Sequence, residues 1–191
     1  MRDLSLKEVL RILLITQRGG KLAAILSEPL RCIVATNMAG LNHDFLLLSA
    51  REHSYADYMK WINHRKAIQI HDDVMHYLQD SLNWITCYNP AKKMMKHKGL
   101  NFYGPTLIKR DGAVAAEKVF NAWASLFSIG PKRIKLTGVY GWIEGETKET
   151  GRYSTITVDR DEIVEKLETV ANYSKSVAHS NDELFLLHLG I

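Results

Sequence analysis

Apolar and polar positions alternate along this chain in two distinct periods, and the switches between them mark its elements. Leu6, Val9, Leu10, Leu13 and Leu14 recur at helical spacing over residues 5–16, with Asp3 or Ser5 as the cap and Gly19-Gly20 as the stop. Three short apolar runs follow, at 22–26, 32–35 and 45–48, and are read as strands separated by turn-forming segments. Ser54, with Asp57 three residues on, opens a helical stretch from about 54 to 86 that breaks near Asn63-His64. In its second half Ile70, Val74, Tyr77 or Leu78, Leu82 and Ile85 form one stripe. Asp72, Asp73, His76, Gln79, Asp80 and Asn83 form the opposite face.

Asn89-Pro90 ends that stretch, because the residue before a proline resists the helical region. Pro105 and Gly112 bracket a short strand at 106–108. Residues 113–128 read as a helix with Val114, Phe120, Trp123 and Phe127 on one side, stopped by Gly130-Pro131. The pattern at 133–143 and 153–158 predicts a long hairpin joined by the polar loop 144–152. A helix over 161–178, capped by Asp159 or Asp161 and turning Ile163, Leu167 and Val170 inward, leads to a final strand at 184–189. Helices and strands mixed in this order predict an α+β fold. It is expected to be one domain over residues 1–191, with helices packed on a mixed or antiparallel sheet of five or six strands.

Size permits such a core. A domain of 191 residues buries roughly 70% of the surface its unfolded chain exposes, and a hydrophobic content of 46% fills it. Cys32 and Cys87 are the two cysteines, and both sit in apolar surroundings, as small buried hydrophobes of a reducing compartment do. Lys92 and Lys93 near Cys87 are the one hint of an activated thiol. No apolar run is long enough to cross a bilayer, and the charged start lacks the apolar core of a signal peptide. The expectation is a cytoplasmic protein without membrane contact.

Charge changes the picture more than composition does. Residues 86–135 hold ten basic side chains against Asp111 and Glu117, a formal +8, while the rest of the chain sums to −4. A cationic window of this kind calls for an anionic counterpart, either an acidic protein face or nucleic acid. Lys92, Lys93, Lys96, His97, Lys98, Tyr103, Lys109 and Arg110 are its candidate partner-binding residues. Lysines beside Phe102 and Tyr103 would suit single-stranded nucleic acid if those rings face outward; a solvated loop with its rings turned into the core is the alternative. There is no ribonucleoprotein aromatic strand, no clear GxxG between helices and no zinc-finger spacing, and lysine predominates over the arginine that reads bases in pairs of bonds.

Eight histidines prompt a search for chemistry. His71 and His76 are five apart and diverge on a helix, whereas Asp72 and His76 are four apart and share a face. Asp72 and His76 are thus the candidate metal ligands or oriented base, with a third group required from elsewhere. His43 beside Asp44, and His53 beside Glu52, matter only if they converge in space. His188, flanked by leucines, is expected to be a core histidine bonded to backbone. The glycines form neither a GxxxxGK[ST] loop nor a GxGxxG turn, and there is no GxSxG elbow. No cofactor is expected.

The segments Gly99-Leu-Asn-Phe-Tyr-Gly-Pro105, Trp123-Ala-Ser-Leu-Phe127 and Leu187-His-Leu-Gly-Ile191 resemble immunity proteins of bacterial polymorphic toxins, including those of contact-dependent growth inhibition, over residues 90–191. The resemblance implies a non-catalytic protein that masks a toxin. Immunity proteins against nuclease toxins resemble acidic decoys, whereas this chain has a sequence pI near 9.0. The implied partner is then a toxin domain with an acidic face, or the contact uses the acidic residues within 144–149.

Overall fold

The computed structural model describes residues 41–62, 64–141 and 151–191. The helix expected at 5–16, the strands at 22–26 and 32–35, Cys32 and most of the loop 144–152 lie outside them. Leu41–Ile191 is one compact unit. Its order is β1 (Asn42–Ser49), a 3-10 helix (Tyr55–Trp61), β2 (Ile68–His71), α1 (Asp72–Leu82), β3 (Thr86–Asn89), a 3-10 turn (Pro90–Lys92), β4 (Met95–Lys98), β5 (Pro105–Ile108), α2 (Arg110–Ser128), β6 (Arg133–Gly141), β7 (Arg152–Asp159), α3 (Arg160–His179) and β8 (Leu184–Leu189). The fold is α+β. Six strands form one antiparallel sheet in the order β2-β1-β8-β5-β3-β4, and the β6–β7 hairpin is a separate two-stranded sheet.

The central strands β1 and β8 read as near-continuous apolar runs because both of their faces are covered. One face, with Phe45 and Leu186, joins the helices in a core that includes Val74, Leu78, Phe120, Phe127, Leu167 and Val170. The hairpin adds Ile134, Leu136 and Ile156 to that core. On the other face Leu46, Leu48, Leu107, Phe185 and Leu187 pack with Tyr55, Tyr58 and Trp61 of the first 3-10 helix. Asp159 caps α3, accepting from the backbone N–H groups of Asp161 and Glu162 at 3.0 and 3.2 Å.

The segment 54–86 departs from expectation. Ser54 does cap a helix, accepting from the Ala56 N–H, but that helix is 3-10 and ends at Trp61. Ile68–His71 is a strand, with Phe45 opposite Ile68 and His43 opposite Ile70. Ile70 is buried from the strand, next to the stripe of Val74, Leu78 and Leu82 on α1. Its side chain therefore continues the helical period without belonging to the helix. Ile85, also buried, precedes β3, a strand that the helical reading absorbed. In α2, Phe120 and Phe127 face inward as expected, but Val114 is 49% exposed.

Between β3 and β4, Lys93 and Met94 both take left-handed backbone conformations, with φ of 50° and 59°. A side chain there costs about 1 kcal/mol relative to glycine. Lys93 is exposed, so Lys93→Gly should leave stability unchanged or raise it by up to about 1 kcal/mol. Urea denaturation reads this, and a clear loss would mean that the Lys93 side chain itself stabilises the turn.

Candidate functional site

Strand β4 is the edge of the sheet, and that places the cationic window at the rim of the fold. Lys96 lies opposite Tyr88 and Lys98 opposite Thr86, so both ammonium groups share one face of the sheet. His97, opposite Cys87, takes the other face. Lys92, Lys93, Lys96, Lys98 and Arg110 are exposed, and Lys109 is half-buried. Lys98 Nζ donates to Thr86 Oγ1 at 2.8 Å and lies 3.4 Å from the Trp84 carbonyl oxygen. The Trp84 side chain is 68% exposed beside it.

Around Tyr88 the window closes into a cluster. Lys109 Nζ lies 4.3 Å from the centre of the Tyr55 ring and 5.5 Å from that of Tyr88. Lys96 Nζ approaches the same Tyr88 ring at 5.6 Å. Asp111 accepts from Lys96 Nζ and from the Tyr88 hydroxyl, each at 2.7 Å. Burial alone would raise the Asp111 carboxyl, but the bonds from Lys96 and Tyr88 overcome it and hold the group below its ordinary value. The same carboxylate raises Tyr88 and Lys96. An open cleft of about 670 Å³ follows, lined among others by Tyr88, Lys109, Arg110 and Asp111.

The structure thus brings Lys96, Lys109 and Arg110 together around Tyr88, with Lys92, Lys93 and Lys98 along the adjoining edge. Tyr55, Tyr88 and Asp111, which organise the cluster, were missed by sequence reasoning. Asp111 opposes Lys96 across 15 positions and Tyr88 across 23, so no local pattern announces them. Tyr103 is 79% exposed on the connection from β4 to β5. Phe102 is turned inward, stacked on His76 at 4.4 Å and edge-on to His43 at 5.1 Å. Only one of the two neighbouring rings therefore offers an open face. His97 donates from Nδ1 to the Lys98 carbonyl at 3.2 Å, and its Nε2 is buried with no partner among the described residues.

The histidines converge as a chain that the sequence did not foretell. His43 Nδ1 is 2.8 Å from His188 Nε2, and His43 Nε2 is 2.9 Å from Asp72 Oδ1. Asp72 Oδ2 lies 3.5 Å from His76 Nε2, the helical i,i+4 pair expected. A carboxylate can only accept, so His43 carries its proton on Nε2 and accepts at Nδ1 from His188 Nε2–H. His188 Nδ1 is left as a buried acceptor without a partner among the described residues. His188 is bonded to a side chain, not to the backbone as expected. Burial lowers its pKa well below the usual value, and His43 adds to the effect. Burial likewise lowers His43, against the raising influence of Asp72.

His71 turns away from this chain: it caps α1, accepting from Asp73 N–H, and lies 3.5 Å from the Asp73 carboxylate. Asp44 accepts from Gln69 Nε2 at 2.9 Å, and its charge acts on the neighbouring His43. Among the described residues no three His, Cys, Asp or Glu side chains form a group that could hold a metal ion. His43 and His188 are fully buried, so their contact is sealed inside the fold. Burial pushes the Cys87 thiol up to about 12, which keeps it protonated at neutral pH and removes the hint of nucleophilic reactivity. Among the described residues no helix is long and apolar enough to cross a membrane. The chain matches no family model, no curated protein and no solved structure.

Proposed function

We infer that this chain is a non-catalytic binding protein that masks an acidic face of a partner protein with its β4 edge and the cleft around Tyr88. One observation carries the reading: Lys92, Lys93 and Lys98 are exposed along the β4 edge of the sheet, Arg110 is exposed at the cleft around Tyr88, and Trp84 is open next to Lys98. Tryptophan, tyrosine and arginine are the residues enriched at energetic contact centres, and Trp84, Tyr88 and Arg110 stand here among lysines that steer an acidic partner. The likeness of residues 90–191 to immunity proteins makes a bacterial toxin domain the partner class of choice, met in the cytoplasm where the toxin acts. Nucleic acid is the weaker fit, because Phe102 is spent on His43 and His76 and Lys96 is neutralised by Asp111. An enzyme built on Asp72 and His76 is weaker still, since Asp72 is committed to buried His43.

The test is capture from native lysate on immobilised full-length chain, followed by affinity measurement with the retained protein. One protein should be held at fixed stoichiometry. Lys92→Glu, Lys93→Glu and Lys98→Glu combined should weaken it at least about ten-fold, mostly through the association rate, with an unchanged melting temperature. Retention of bulk RNA, with affinity collapsing steeply as salt rises, or unchanged affinity of the triple variant, would overturn the reading.

A further inference from the structure

A second surface, of opposite charge, lies on the hairpin. Among the described residues strand β7 pairs with β6 along one edge only. Its residues 155–159 line a cleft of about 350 Å³. Side chains alternate between the faces of a strand, so a wall formed by five residues in a row is the edge of β7 and not one of its faces. Across the cleft stand Ile70 and His71, the end of β2, which is itself the outermost strand of the six-stranded sheet. Two strands that, among the described residues, each lack a neighbour on one side thus border the same slot. Unpaired edges of this kind are templates for strand addition.

The slot's chemistry selects what would enter. Ile70, Ile156 and Ile163 give it an apolar floor, while Asp73, Asp159 and Glu162 rim it with carboxylates. Among the described residues Lys166 is the one ammonium group lining it, and it cancels Glu162, to which it is bound at 2.6 Å, leaving the charges of Asp73 and Asp159 in excess. The slot is therefore locally anionic on a chain whose formal net charge is +4. A second copy of this chain, pairing β7 to β7, would set the same carboxylates against each other.

We propose that the cleft between β2 and β7 takes an extended peptide segment of a partner protein, bearing lysine or arginine at alternate positions, as a third strand on β7. Main-chain bonds to the edge of β7 supply the affinity, the alternate apolar side chains lie over the buried isoleucines at the base of the slot, and the carboxylates receive the basic ones. Five residues of β7 span roughly 15 Å at about 3.3 Å each, so a segment of five or six residues fills the site. The proposal is independent of the β4 edge, and either can fail without the other.

The probe is a fluorescein-labelled hexapeptide, Lys-Val-Lys-Val-Lys-Val, titrated with the full chain and read by anisotropy. Saturable binding is expected, with amide shifts at Thr155 and Thr157 in nitrogen-15 spectra. Methylating the alternate peptide nitrogens on one edge should weaken binding at least ten-fold, whereas methylating the other set should leave it within two-fold. Replacing the lysines by glutamates should also cost at least ten-fold, and so should Asp73→Asn with Glu162→Gln in the protein. The peptide arms decide the matter even if that variant folds poorly. The proposal is overturned by absence of saturable binding, by equal response to both methylated sets, by shifts centred on Lys96 and Lys109, or by self-association of the chain through β7.

Discussion

Gly112→Ala is expected to lower folding stability by about 3 kcal/mol, although propensity alone points the other way. In the first turn of α2, alanine would ordinarily gain up to about 1 kcal/mol over glycine. Here an added Cβ would sit 1.9 Å from the Thr86 carbonyl oxygen and 3.4 Å from Ile108 Cγ2. The first neighbour is backbone of β3, whose ladder ties it to both β4 and β5, so it cannot swing aside as a side chain can. Relief requires α2 to lift off the sheet and to loosen Ala113, Ala116 and Phe120, all fully buried. Overpacking a rigid site costs about 1–3 kcal/mol and sometimes more, and a backbone collision belongs at the upper end. With a urea slope of about 1.5–2 kcal/mol per molar, the midpoint should fall by roughly 1.5–2 M. A midpoint equal to or above that of the parent would mean that α2 and β3 are not in this close contact.

The second large effect is expected from acid. His43 and His188 both have lowered pKa values in the fold because burial opposes their charge. In the unfolded chain they titrate near 6.5. Above that pH neither state binds the proton and the pair is without effect. As the pH falls through 6.5 the unfolded chain takes up protons that the fold refuses, so stability declines toward the lower folded values. The limiting slope is about 1.4 kcal/mol per pH unit for each histidine. Asp111 and Asp161, held below their usual values, lose their contributions only near and below pH 3.8, which keeps the two windows apart. Urea midpoints measured from pH 8 to pH 4.5 should be flat at the top and then drop. His188→Gln, which keeps a donor for His43 Nδ1 but does not titrate, should remove roughly half of the slope. A flat profile down to pH 4.5, or one that His188→Gln leaves unaltered, would show that the pair is not held neutral.

What the sequence made legible follows from how local each signal is. Strand β8, helix α3 and its Asp159 cap are visible in the chain because each is specified by neighbours within a few residues. The four-residue strands β2, β3 and β4 are not. Ile70 and Ile85 fall where a helical stripe would continue, and only the pairing of β2 with β1, and of β3 with β4 and β5, reassigns them. Strand β4 reads Met-Lys-His-Lys, a polar run whose exposure is that of a sheet edge and whose composition is that of a loop. The position of the lysines outside the core was legible, but their arrangement around Tyr88 was not, since Asp111 and Lys109 reach it only through the packing of α2 on β3. The histidine chain joins residues 29 and 145 positions apart, a separation at which no spacing rule operates.

The place of β8 in the sheet has a consequence for how the chain is made. Residues 184–189 lie between β1 and β5, so the β2–β1 pair and the β5–β3–β4 group, both earlier in the chain, are joined only once this last strand is in place. Until it emerges, β1 and β5 each present an open hydrogen-bonding edge, with Leu46, Leu48 and Leu107 denied their final neighbours. Assembly should therefore be late and slow, as befits pairings so remote along the chain, and the nascent polypeptide should depend on chaperone shielding at this one stage.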